Sequence, residues 1–261
     1  MNNRQLHALL EEKVEQFNNV TFIEPDPISV PHRFSKKQDI EIAALFAALL
    51  AWGNRTTIIN SCNKLVKLMD DAPHDFIKNH CEAERQRFEK WVHRTFQFPD
   101  LLYFLEFLQF HYSRHESLEI AFSNGLKSSD RTVENALIHF HNYFFSLPHL
   151  QRTEKHLQTP IRKSACKRLN LYLRWMVRKD NKGVDFGIWH NIGMQRLICP
   201  LDVHVHRTAI TLKLITRTQP DWQCAALLTK KLRSFDANDP VKFDYALFGL
   251  GLEQSGKTVS K

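Results

Sequence analysis

The chain has 261 residues, of which 43% are hydrophobic and 25% charged, values that fit one large or two smaller folded domains and exclude disorder throughout. Only 8 glycines occur, under half the usual share of about 7%, which argues against propellers, β-sandwiches and glycine-rich nucleotide cradles. An excess of 36 Lys and Arg over 28 Asp and Glu, +8 at neutral pH, suits phosphate polymers or anionic surfaces without choosing between them.

Helical spacing dominates from the start, and the expected fold is all-α. Leu6, Leu9, Leu10, Val14 and Phe17 recur at three and four residues, one buried helical stripe. This opening segment is polar and amphipathic with no signal-peptide core, and no apolar run of about 18 residues follows anywhere, so a cytoplasmic protein without a membrane span is expected. A proline-rich connector covers Glu24 to Pro31. Ser35 and Gln38 read as a capping box opening an Ala- and Leu-rich, deeply buried helix that ends near Gly53. Further helices are expected at 56–70, 82–93, 99–113, 131–146, 163–179, 203–215, 220–234 and 239–250. A polar stretch at 148–163 suggests two regions, 1–155 and 156–261, or one intertwined body. Cys62, Cys81, Cys166, Cys199 and Cys224 lie far apart without a C-x-x-C pair, which excludes a zinc ribbon and suits a reducing compartment.

Three short patterns invite chemistry and are set aside or held in reserve. Gly251 to Thr258 matches the phosphate-loop spacing, but that loop needs a following helix, which the three residues after Thr258 cannot supply. His204 and His206 point about 200° apart on a helix and cannot share a metal. His74-Asp75 is a reserve reading as the dyad of helical metal-dependent phosphohydrolases.

Two features carry more. Residues 161–182 hold Arg162, Lys163, Lys167, Arg168, Arg174, Arg178, Lys179 and Lys182 against Asp180 alone. At 100° per residue Lys163, Lys167, Arg174 and Arg178 share an arc of about 60°, beside an apolar stripe of Cys166, Leu169, Leu173 and Val177. The alternatives are a solvated face and a phosphate-binding one; mutual repulsion of so many cations favours the second. In Leu197 to Ile215, Pro200 ends an extended approach and Asp202 stands at the N-cap of the next helix, either as a cap alone or as a carboxylate able to stabilise a developing cation.

Together these features resemble a known family. Pro200-Leu-Asp-Val-His-Val-His-Arg207 is similar to the Val-Asp-Thr-His-Val-x-Arg segment of the helix–hairpin–helix DNA glycosylases, the endonuclease III superfamily. Ser164-Ala-Cys-Lys167 resembles the end of the hairpin and the start of its second helix, and Phe243 to Gly251 the closing helix. The pattern is nearest the divergent archaeal 8-oxoguanine glycosylase branch, and it also resembles a bacterial family sharing Leu173-Arg-Trp-Met-Val-Arg178. The likeness covers about residues 155–252. It departs at the hairpin, where Thr159-Pro-Ile-Arg162 has no glycine, and it lacks the C-terminal four-cysteine signature, so no iron–sulfur cluster and no other cofactor is expected.

What the resemblance implies is a two-lobed helical glycosylase that takes a damaged base, an oxidised purine being the nearest class, from duplex DNA. Lys167 matches the Schiff-base lysine and Asp202 the catalytic carboxylate. Lys163, Arg168, Arg174, Arg178, His204 and Arg207 are then expected on DNA, and Trp175 and Trp189 are candidates for the base pocket, with a role in the core as the favoured alternative. A non-enzymatic nucleic-acid-binding helical protein is the alternative.

Overall fold

The computed structural model describes residues 2–254 and is all-helical, with no strand among them. The second half of the phosphate-loop match, residues 255–258, therefore lies outside the described residues. In α1 (Asn3–Phe17) the Asn2 side chain caps the first turn, and Leu6, Leu10, Val14 and Phe17 are buried while Leu9 is half-buried. The proline-rich connector coils into two 3₁₀ turns, Pro27–Ser29 and Pro31–Arg33, each opening on a proline where no N–H is required.

The helix α2 (Lys37–Leu49) is buried along nearly its whole length. Its expected capping box does not form. Lys36 occupies the N-cap position without a side-chain bond, and the Gln38 amide instead donates to Glu116 O at 3.0 Å. There follow α3 (Arg55–Lys67), α4 (Pro73–Asn79) and α5 (Glu82–Arg85), which passes into a 3₁₀ turn at Gln86–Phe88. The long helix expected at 82–93 is thus cut short, and the chain reverses at a bridge between His93 and Phe96. Next come α6 (Phe98–Tyr112), α7 (Glu119–Ser123) and α8 (Glu134–Phe144). Beyond the polar stretch lie α9 (Lys167–Val177), α10 (Val203–Thr211), α11 (Trp222–Arg233) and α12 (Phe243–Gln254). Helices α4 and α7 are too short to show a period and had no counterpart in the pattern.

One hydrophobic cluster runs from Leu6 to Leu247, and α1 packs on α12 as α2 packs on α9. Among the described residues no helix is long and apolar enough to cross a membrane. A buried carboxylate pins α2 in place. Glu41 accepts hydrogen bonds from Tyr112 Oη (2.9 Å), Ser117 Oγ, Leu118 N (3.1 Å) and Trp189 Nε1 (2.6 Å). Burial nonetheless pushes its pKa above the ordinary value.

Glu41→Ala strands these donors without an acceptor, and the expected loss in urea unfolding exceeds about 3 kcal/mol. A loss below about 1 kcal/mol would show that the cluster is not a structural hub.

Candidate functional site in an open groove

A groove of about 1580 Å³ opens where five parts of the chain meet. Its walls come from the turn at Asp26, from Ala51 to Asn60 at the start of α3, and from the first residues of α9 and α10. Residues Asp244, Phe248 and Leu252 of α12 complete it. Lys167 and Asp202 both line this groove, although 35 positions separate them.

Local structure explains each placement. Lys167 is the first residue of α9, reached through Cys166 in the left-handed region (φ 49°), and its ammonium lies 3.5 Å from Ala51 O. Asp202 is the N-cap of α10, its Oδ1 accepting from Val205 N at 2.8 Å. One carboxylate oxygen is committed to the cap, which leaves the other available to the groove.

The remaining expected residues divide. Arg168 and His204 line the groove, while Lys163 and Arg207 are exposed outside its lining. Arg168 turns one guanidinium nitrogen to Leu49 O at 2.8 Å. Arg178 is not part of a DNA-facing surface, and neither is the guanidinium of Arg174. Both side chains are buried in ion pairs, Arg174 with Asp185 (3.2 Å) and with Asp244, Arg178 with Asp180 (2.8 Å), Asp185 (3.0 Å) and Asp239 (2.9 Å). The expected arc of four cations fails because buried acids neutralise two of them, Asp180 and Asp185 from just beyond the helix and Asp239 and Asp244 from far along the chain. Lys163 also leaves the arc, since its own left-handed conformation (φ 60°) and that of Cys166 delay the helix to Lys167. Trp175 and Trp189 are 0% and 2% exposed; they are core side chains and do not line the groove.

A metal dyad at His74-Asp75 does not form either. His74 is buried edge-on to Tyr112, whereas Asp75 is exposed and accepts from Asn79 at 2.9 Å. Among the described residues no group of three or more His, Cys, Asp or Glu is arranged to hold a metal ion.

A family model described as "Protein of unknown function (DUF2400)" matches residues 26–253. The chain belongs to the DUF2400 family. Neither the curated proteins nor the solved structures provide a match to it. The matched span of this DUF2400 chain takes in the groove wall from Asp26 to Leu252.

The groove also holds acids and a cation that sequence reading overlooked. Asp244 is 4% exposed and its pKa is pushed up to about 6, first by burial and further by Asp202, against the lowering effects of Arg174 and Lys167. The Cys199 thiol approaches its Oδ1 at 3.8 Å. Asp26 caps a 3₁₀ turn through Ile28 N, and burial raises its pKa although Arg55, Arg174 and Lys167 all act to lower it. Arg55 has a buried guanidinium nitrogen with no partner and lies 4.9 Å from the Phe248 ring. An Asp inside the otherwise apolar Phe243 to Leu247 segment was the one readable signal, since an acid there needs a buried partner.

The site therefore places one ammonium within the electrostatic reach of carboxylates of unequal character. Asp202 is half-exposed and serves as a helix cap; Asp244 is deep and easily protonated. Such a pair can hold a cationic intermediate and exchange a proton near neutral pH.

Folding raises the pKa of Asp244, so its contribution to stability is full below the ordinary carboxylate range and is lost as pH rises through about 6. The stability of wild type relative to Asp244→Asn is expected to fall by up to about 3 kcal/mol across that window. Urea unfolding of both proteins at several pH values measures it; parallel pH profiles would contradict the assignment.

Proposed function

We propose that the chain is a base-excision DNA glycosylase with AP-lyase activity, of the two-lobed helix–hairpin–helix type, acting on a damaged base with an oxidised purine as the nearest class. The observation that carries this reading is that Lys167 and Asp202 line the same groove, which is large enough for an extruded nucleotide. Duplex DNA is the proposed partner, and half-buried Arg168 and His204 at the groove, with exposed Lys163 and Arg207, are the proposed contacts.

In this mechanism the Lys167 amine attacks C1′ of the flipped nucleotide. A C–N bond forms, the glycosidic bond breaks, and its electron pair leaves with the base, which takes up a proton. Asp202 stabilises positive charge on the sugar and accepts the proton that the lysine nitrogen loses; the C1′–O4′ bond then breaks, O4′ takes up that proton, and the nitrogen lone pair closes the C=N bond of a protonated, ring-opened imine. Loss of a C2′ proton then expels the 3′ phosphate by β-elimination, cleaving the strand. Asp244, protonated over part of the neutral range, is suited to give the departing base its proton.

Borohydride is expected to trap a covalent adduct between the protein and DNA bearing an oxidised purine, and Lys167→Gln is expected to abolish it. Trapping that persists in Lys167→Gln excludes this lysine, and no adduct with any base lesion in the wild type excludes the lyase. Asp202→Asn is expected to slow single-turnover base release by at least about 100-fold with DNA affinity kept, the usual scale for losing such a group. Salt-dependent DNA binding with no base release from any lesion favours the non-enzymatic nucleic-acid-binding reading.

A further inference from the structure

Two arginines that the mechanism does not use stand at the groove, Arg55 in its lining and Arg94 packed behind the lining residue Trp52. Arg55 opens α3, lines the groove and packs its guanidinium 4.9 Å from the Phe248 ring centroid. Arg94 stands at the tip of the His93–Phe96 turn in the left-handed region (φ 55°) and packs 4.5 Å from the ring of Trp52, another groove residue. The turn between α2 and α3 is shaped around it. Gly53 has φ 109°, and a Cβ there would come within 2.2 Å of Arg94 Nη1. Neither guanidinium has a carboxylate within ion-pair distance among the described residues, in contrast to Arg174 and Arg178. One nitrogen of Arg55 is buried with no hydrogen-bond partner at all.

We propose that Arg55 on Phe248 and Arg94 on Trp52 form an aromatic-backed clamp for the phosphodiester backbone of the nucleic-acid strand entering the groove. A guanidinium stacked on a ring has its face occupied and its orientation fixed, while the N–H donors in its plane remain free. Those donors match two phosphate oxygens at once. The unpartnered nitrogen of Arg55 costs free energy in the unliganded protein, and an anionic oxygen from the ligand removes that cost. The acids Asp26, Asp202 and Asp244 face the same groove, so an anion is held at its rim by these arginines while the neutral or cationic part of the ligand meets the acids. A nucleotide strand has that division of charge, with phosphates outside and sugar and base inside. The clamp rests on the proposed function only in taking nucleic acid as the partner; it requires no catalysis.

The test is fluorescence anisotropy of the full chain with a short duplex containing a tetrahydrofuran abasic analogue, which cannot form an imine, across a range of salt concentrations. Arg55→Gln and Arg94→Gln are each expected to weaken binding about tenfold and to lower the slope of log affinity against log salt by about 1, with thermal unfolding unchanged. Arg55→Lys keeps the slope and regains only part of the affinity, because the ammonium lacks the planar fork. Replacing single phosphates by methylphosphonates should reveal a position that weakens the wild type but not Arg55→Gln. Wild-type slope in both Gln variants overturns the clamp, even if base release proceeds. No base release in the wild type, together with the slope changes, overturns the glycosylase reading and leaves the clamp standing. Absence of nucleic-acid binding overturns both.

Discussion

The groove depends on a buried ionic lattice in which Arg174 and Arg178, one turn apart on α9, are held by Asp180, Asp185, Asp239 and Asp244. These acids come from the segment after α9, from the approach to α12 and from α12 itself. Asp185 is shared by both guanidinium groups, so its removal takes a counter-charge from each of two buried cations at once and is costly. The lattice fixes how α9 sits against α12, and the tyrosine ring of Tyr245 lies 4.3 Å under Arg174 within the same contact. Lys167 begins α9 and Asp244 belongs to α12, so one constraint places both chemical groups in the groove.

The same lattice explains how charge is distributed. Counting residues 161–182 as an isolated segment leaves a large positive excess, but the acids that cancel it lie up to 70 positions from the arginine they pair with. Lys167 and Arg55 in the groove and Arg94 beside it are among the described cations without a carboxylate partner, and the starts of α3, α9 and α10 turn their N-terminal ends to the groove. Each such end adds partial positive charge. Against that background Asp244 is still hard to ionise, which shows that burial outweighs the nearby cations at its position.

Legibility from sequence followed the range of the forces involved. The all-helical architecture was readable because periodicity is local, and Asp202 as a helix cap was readable for the same reason. Lys167 and Asp202 line one groove, a juxtaposition that no local spacing contains. Arg174 and Arg178 were misread as surface cations, because burial is decided by tertiary partners that spacing does not contain, whereas Trp175 and Trp189 take the core role favoured for them. Arg55 and Asp26 escaped notice altogether. Each stands alone in a turn or at a helix start, without a pattern to announce it.

The approach to α9 completes the argument about glycine scarcity. Left-handed positions are usually filled by glycine, yet here Lys163 and Cys166 adopt left-handed conformations themselves (φ 60° and 49°). Each costs about 1–2 kcal/mol relative to a right-handed residue and needs surrounding structure to hold it. That support comes from the start of α11: Trp222 N donates to Lys163 O at 3.1 Å, and Ser164 bridges to Asp221. Asp221 is in turn ion-paired to Arg217, which holds its carboxyl down at about 2. The strain thus sits immediately before Lys167 and is balanced by an element that does not line the groove beyond Pro220. A turn held from outside in this way can keep the lysine at the first position of α9, whereas a glycine turn would leave it more conformational freedom.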